Sequence, residues 1–226
     1  MVKIPNSHIG KDSKHPLIRE YDSFFTNNST FEDREELIYD FYNRNQELVN
    51  SIDDINSNLI IEKLIEMKIV YIRILDGKQE YKKCEPVCEQ LKLLLSKLSE
   101  NYHCYNSLYL NGYKWIAINL GRRNKYFASN KIFKELICMD DNKELYKNWI
   151  SSNYSHIIFH WVTYPLFIVC SFIFIWNAII DLFIGNYYLY IGKPYSVITS
   201  LLLFIAVIIY FNVYKLIKYL VNRKYK

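Results

Sequence analysis

Glycine and proline are scarce in this chain, at 6 and 5 of its 226 residues, against ordinary usage of about 7% and 5%. Tyr (21) and Phe (13) are frequent instead. With the many Asn, Lys and Ile residues they point to an AT-rich coding genome rather than to a mechanism. The motifs G-x-x-x-x-G-K, G-x-S-x-G, H-E-x-x-H and G-x-G-x-x-G do not occur, so nucleotide, hydrolase, metalloprotease and dinucleotide chemistries lack their usual supports. A one-signed charge is missing too. The formal net charge is only +5, and Lys and Glu alternate through the polar part of the chain, which excludes the broad basic face that nucleic acid requires. Met1 to Lys11 is polar and contains Pro5, unlike the apolar stretch of a cleavable signal peptide. No repeat of fixed period and no low-complexity tract interrupts the sequence.

What the chain does contain is a polar amino-terminal part and an apolar carboxy-terminal part, which a mean hydropathy of -0.07 averages away. Two apolar runs, Ile157 to Ile180 and Val197 to Tyr214, flank a short polar turn. At about 1.5 Å rise per residue, roughly 20 apolar residues cross a hydrocarbon core of about 30 Å. Each run is close to that length, so the pair predicts a transmembrane helical hairpin. About 70 residues go to this hairpin and its flanks; about 150 remain, enough for one soluble domain with its own core.

In that domain, 1–28 reads as a flexible arm, being polar, without apolar period, and carrying Pro5 and Pro16. Ser29 with Glu32, and Thr30 with Asp33, have the spacing of a capping box. A helix is expected to follow, with Leu37, Ile38, Phe41, Tyr42, Leu48, Val49 and Ile52 on one face. Polar Ser51 to Ser57 is the expected break before a second helix, which carries the apolar pattern to a stop at Asp76-Gly77. Pro86 suits the first turn of a third helix bearing Val87, Leu91, Leu94, Leu95 and Leu98. Cys104 to Leu120 is expected to be helical, Gly121 to Asn124 a basic loop, and Ile132 to Ile150 one or two short helices.

Cys84, Cys88, Cys104 and Cys138 lie outside the apolar runs, and Cys170 within the first. The four are candidate disulfide partners in an oxidising compartment, or equally reduced structural thiols filling apolar gaps. A zinc site is the weaker reading, because zinc frameworks show paired short spacings and this chain has one Cys pair, with His103 beside Cys104. No metal and no cofactor is expected.

The run Tyr81-Lys-Lys-Cys84-Glu-Pro-Val-Cys88-Glu-Gln-Leu-Lys-Leu-Leu-Leu-Ser-Lys-Leu-Ser-Glu-Asn-Tyr-His-Cys104, followed by Leu108 and Trp115-Ile116, resembles the core of the Plasmodium interspersed repeat (PIR) proteins, called Vir in one malaria parasite. In that family a Cys precedes a Leu-rich amphipathic helix, a second Cys follows, and a Trp-bearing aromatic segment comes soon after. Lys143-Glu-Leu-Tyr-Lys-Asn-Trp149 is similar to a later part of the same pattern. The chain departs from the family in a longer Cys-to-Trp spacing and a second apolar run. In the latter it is similar to other short malaria exported proteins with two spans. Arg73-Ile-Leu75-Asp-Gly77 has the first two anchors of an export pentamer but not its last. The resemblance implies a variant surface or exported parasite protein, at the parasite or infected-cell membrane, acting in host interaction or antigenic variation.

His156 and His160, one helical turn apart, open the first apolar run, and Asp181 closes it. Ionisable groups in a span are functional candidates by default, although edge positions favour simple contact with water. Trp161, Tyr164, Trp176, Tyr187, Tyr188, Tyr190 and Tyr195 fit aromatic belts, and Pro165 is placed to kink the first span. Lys215, Lys218, Arg223, Lys224 and Lys226 make a basic tail suited to anionic lipid, while the connecting turn has Lys193 alone. The positive-inside rule then puts the tail in the cytosol; two spans put both ends there, and one span puts the amino-terminal domain outside. Asn27, Asn28 and Asn153 match the N-x-S/T acceptor pattern.

The fold expected is mainly α: a flexible arm (1–28), a helical PIR-like domain (29–155), two transmembrane helices within 156–215 (157–180 and 197–214) and a basic tail (216–226). The function expected is that of a membrane-anchored, non-enzymatic protein whose partners are the lipid bilayer and host proteins. The alternatives are a small transporter or enzyme using His156, His160 and Asp181, or a membrane-shaping hairpin.

Overall fold

Apolar residues recurring at three- and four-residue steps set the architecture, which is helical throughout, with no strand among the described residues. The computed structural model describes residues 16–26, 31–50, 58–184 and 192–225, with side chains except at 26, 31–33, 174, 177–178, 180–184, 192–200, 203, 206 and 209–211. The chain forms two compact units, Met1–Arg123 and Asn124–Lys226.

The first unit contains α1 (Pro16–Thr26), α2 (Phe31–Asn50), α3 (Asn58–Gly77), α4 (Cys84–Lys97) and α5 (Tyr105–Arg122). Its centre is α3, whose buried residues run from Ile61 to Leu75 and cover most of the helix circumference. A helix apolar on nearly every side is stable only when surrounded, and α2, α4 and α5 all pack against it. On α2 the buried stripe is Ile38, Phe41, Tyr42 and Val49; Leu37 and Leu48, expected on the same face, point outward. The 3.6-residue period explains this, since the neighbours of Ile38 and Val49 lie about 100° round the helix. Ile52 and the break 51–57 lie outside the described residues, as do the capping residues Ser29 and Thr30.

Part of the expected arm is ordered. Residues 16–26 form α1, with Pro16 at its first position, where a missing N–H costs nothing. Ile18 and Tyr21 are buried, and the rings of Tyr21 and Phe24 meet that of Phe41 at centroid distances of 6.3 and 5.5 Å. Leu17, Ile18, Tyr21, Phe24 and Phe25 recur at three- and four-residue steps, and α1 packs on α2. The remainder of the arm, 1–15 and 27–28, lies outside the described residues.

The turn from α3 to α4 closes with Gln79 N–H on Asp76 O (3.0 Å) and Glu80 N–H on Leu75 O (2.9 Å), the bond pair of a Schellman motif. Its left-handed residue is Gln79 (φ 59°), not Gly77. Pro86 lies in the first turn of α4, and Val87, Leu91, Leu94, Leu95 and Leu98 are buried as their spacing predicts. On α5, Gly112 lets that helix approach α4, since a Cβ there would sit 2.8 Å from Leu95 Cδ1. Asn119 Nδ2 donates to Tyr81 O (3.1 Å) and ties α5 to the α3–α4 turn.

The second unit contains α6 (Tyr126–Met139), α7 (Lys143–Ile158), a single π-helical turn (Phe159–Thr163), α8 (Tyr164–Ile184) and α9 (Gly192–Lys224). Phe133 of α6 packs on Tyr146 and Trp149 of α7, each at 5.9 Å. The π turn has a local cause: Pro165 cannot donate to the carbonyl four residues back and its ring crowds that carbonyl. The helix widens instead, and Tyr164 N–H reaches Phe159 O. Most of the basic tail 216–226 is helical, since α9 continues to Lys224, with Ile217 and Val221 buried one turn apart. That apolar pair forms a stripe facing other helices of the unit, and α9 packs on α7.

Candidate membrane-spanning segment and polar clusters

Among the described residues one helix, Lys143–Ile173, is long and apolar enough to cross a membrane, and little of its apolar stretch is buried inside the protein. It begins before the expected span, because α7, the π turn and α8 are helically continuous. The exposed side chains are large: Trp161 is 78% exposed, Phe172 72% and Trp176 65%. On α9, Leu201, Phe204, Ile205, Val207 and Ile208 also face outward. At roughly 25 cal/mol per Å² of apolar surface, leaving such a band in water is costly, and contiguous exposed apolar surface of this extent marks a lipid or protein contact. The second expected span, 197–214, falls within α9, with several of its side chains outside the described residues. By length and apolarity, one helix among the described residues qualifies as a candidate span rather than a pair.

His156 stacks on Tyr126 with centroids 5.4 Å apart and planes within 3°. His160 sits on the π turn, exposed, with its ring edge-on to Phe159 at 5.7 Å. Asp181 is on α8, its side chain outside the described residues; some twenty residues along a helix separate it from His160, roughly 30 Å. The trio named from the sequence is thus spread along the segment. Of the basic residues, Lys215, Arg223 and Lys224 are exposed on α9, Lys218 pairs with Glu144 of α7 at 3.9 Å, and Lys226 lies outside the described residues.

All five cysteines are free thiols. Cys84 and Cys88 are buried on one face of α4, and burial pushes both thiols up to about 12. Cys84 Sγ lies 3.9 Å from Ile72 O and 3.8 Å from Glu80 O. Thiols held so firmly protonated are poor nucleophiles and act as small apolar fillers. Cys138 is exposed on α6 with its Sγ 3.6 Å from Lys134 O, and Cys170 is buried on α8. Cys104, half-buried before α5, is the one brought to other ligand-bearing groups: its sulfur, a carboxylate oxygen of Glu62 and a ring nitrogen of His103 lie within 4.8 Å of one another. Burial, and secondarily the Glu62 carboxylate, raise this thiol above its ordinary range.

Two further polar groups have no local signal in the sequence. Lys68 is buried on α3, and its ammonium donates to Tyr42 Oη (2.9 Å), Asn50 Oδ1 (2.9 Å) and Gln90 Oε1 (2.7 Å). Burial brings its pKa down to about 8. Tyr42 in turn stacks on Tyr71 at 4.0 Å, and Tyr71 Oη donates to Asn43 Oδ1 (2.6 Å). In the second unit, Asn153 is only 2% exposed and its amide donates to Ser129 Oγ (2.9 Å) and Asn130 Oδ1 (2.8 Å). A buried amide nitrogen already donating twice cannot carry a glycan, which closes this acceptor in the folded protein. Asn27 and Asn28 lie outside the described residues.

No family model, no curated protein and no solved structure matches this chain.

Proposed function

We propose that this chain is a membrane-anchored, non-enzymatic helical protein that presents its helical part for binding, as a surface or exported parasite protein would in host interaction or antigenic variation. The observation that carries the reading is the outward-facing apolar band of Trp161, Phe172 and Trp176, continued on α9 by Leu201, Phe204 and Ile208. A band of this kind gains free energy only by leaving water. The parasite assignment rests on the likeness of Cys84 to Trp115 to the PIR pattern. The non-enzymatic reading is supported by the protonated, buried state of Cys84 and Cys88 and by the dispersal of His156, His160 and Asp181.

The membrane element is a hairpin in this proposal. Burial of Ile217 and Val221, packing of α9 on α7 and the Lys218–Glu144 pair bring the end of α9 back to the start of the spanning segment. A chain that leaves α7 through α8 and returns to α7 crosses an even number of times. Residues 197–214 supply the return crossing. The positive-inside rule, applied to Lys215, Lys218, Arg223 and Lys224, then puts both chain ends in the cytosol, which suits an exported protein meeting host proteins there rather than an outward-facing antigen.

Alkaline carbonate extraction of membranes from cells expressing the full chain tests the proposal. Retention of the chain in the pellet, and its release only by detergent, is the expected result. Recovery of the intact chain in the supernatant would overturn it.

A further inference from the structure

We propose that Glu62, His103 and Cys104 form a binding site for a divalent cation of the zinc class. Glu62 stands on α3, while His103 and Cys104 are the last two residues before α5; folding brings all three ligand atoms within 4.8 Å of one another. Around a tetrahedral zinc ion, with bonds of about 2.0–2.3 Å, ligand atoms lie about 3.3–3.8 Å apart. Small side-chain rotations are enough to close the set on an ion.

The donor set selects the metal. One sulfur, one imidazole nitrogen and one carboxylate oxygen suit zinc and its borderline-soft neighbours, whereas magnesium and calcium take all-oxygen sites. Three protein ligands leave a fourth position, and the exposure of His103 opens it to water. Binding replaces the Cys104 S–H bond by a metal–sulfur bond and releases that proton to solvent.

The surroundings hold the ligands in place. Tyr102 Oη donates to Glu62 Oε2 at 2.5 Å, which fixes the carboxylate plane. The Tyr102 ring packs against the imidazole of His103 at 4.4 Å. Hydrogen bonds from Tyr102 N–H to Ser99 O (3.0 Å), Tyr105 N–H to Tyr102 O (2.9 Å) and Leu108 N–H to Cys104 O (3.0 Å) pin the turn. Ser99 N–H reaches Asn58 Oδ1 (3.5 Å) at the start of α3, one turn from Glu62. The neighbouring acid Glu66 is engaged by Lys63 at 3.2 Å, so Glu62 is the carboxylate presented to the site. Such orienting contacts on ligands are worth about 10–100-fold in metal affinity where they have been removed.

The test uses the full chain in detergent, stripped with a chelator and titrated with zinc by calorimetry and with cobalt(II) by absorption. One equivalent of zinc per chain and a sulfur-to-cobalt charge-transfer band are expected. Cys104→Ser should abolish the band, and His103→Ala and Glu62→Gln should each weaken zinc binding by about tenfold or more. Cys138→Ser, at an exposed thiol outside the proposed ligand set, should change neither. Circular dichroism of each variant separates loss of ligand from loss of fold. Absence of zinc binding by the unaltered chain, or equal binding by folded Cys104→Ser and His103→Ala variants, would overturn the proposal.

Discussion

Lys68 carries an ammonium into surroundings far from its preference in water. Its three donors all find neutral oxygens, on Tyr42, Asn50 and Gln90, so hydrogen bonding is satisfied while the charge remains costly. Its folded pKa of about 8 lies below the ordinary 10.5. Between those values the unfolded chain binds the extra proton, so this group's contribution rises with pH through that window, by about 3 kcal/mol in all. Above about pH 9 the opposite contribution of the buried Cys84 and Cys88 thiols overtakes it, because they are pushed up to about 12 and ionise first in the unfolded chain. Burial raises the Tyr42 and Tyr71 hydroxyls, the latter to about 12, so the unfolded chain ionises first and stability falls as pH climbs. Thermal melts of the full chain in detergent should therefore show a midpoint that rises from neutral pH to about pH 9 and falls beyond it, and Lys68→Met should remove the rise. At neutral pH the two proteins should differ little, because the substitution removes a buried charge but leaves three acceptors without their donor, at about 1 kcal/mol each. A Lys68→Met variant with the original slope would contradict this reading. Nothing in the local sequence signals such a residue: Lys68 stands in the apolar pattern of α3, and its partners come from α2 and α4.

At the scale of the element, the end of α3 separates what spacing can tell from what it cannot. Asp76-Gly77 reads as a stop, and the helix does end at Gly77. The left-handed position that completes the cap is Gln79, set by the bonds of Gln79 to Asp76 and Glu80 to Leu75. A residue with a Cβ held there costs about 1 kcal/mol or more. Gln79→Gly should accordingly stabilise the protein by about 0.5–1 kcal/mol, raising the melting midpoint by about 2–4 °C. Gly77→Ala should not destabilise it, since a Cβ at Gly77 meets nothing within 4 Å and no positive φ is required. A stabilised Gly77→Ala with an unstabilised Gln79→Gly would relocate the cap and contradict the account. The stripes of α3 and α4 were legible because each is regularly spaced, whereas the aromatic run of α5 fits helix or strand by local pattern. α1 was missed although Leu17, Ile18, Tyr21, Phe24 and Phe25 keep a helical period, because eleven residues within a polar stretch bearing Pro5 and Pro16 are too few to stand out from it. The π turn had a legible cause in Pro165 but no legible form, since proline can kink, end or widen a helix.

At the scale of the molecule, chain distance hides the remaining sites. Tyr102 and Glu62 are 40 residues apart, and their meeting depends on how α3 packs against α4 and α5, which no local pattern encodes. The apolar segment was legible because a bilayer imposes a length, and length can be read directly from the chain. Its start was not, because α7 runs into the π turn and α8 without interruption. The role assigned to this half of the protein rests on lipid covering the outward-facing aromatic residues. The chain has 4 Trp: Trp161 and Trp176 lie in the exposed band, while Trp115 is half-buried on α5 and Trp149 packs on Phe133. The most direct measurement is tryptophan fluorescence of a Trp115→Phe, Trp149→Phe protein reconstituted into vesicles with brominated acyl chains. Strong quenching by the brominated lipid and weak quenching by aqueous iodide is the predicted result. Strong quenching by iodide with none by the lipid would contradict it.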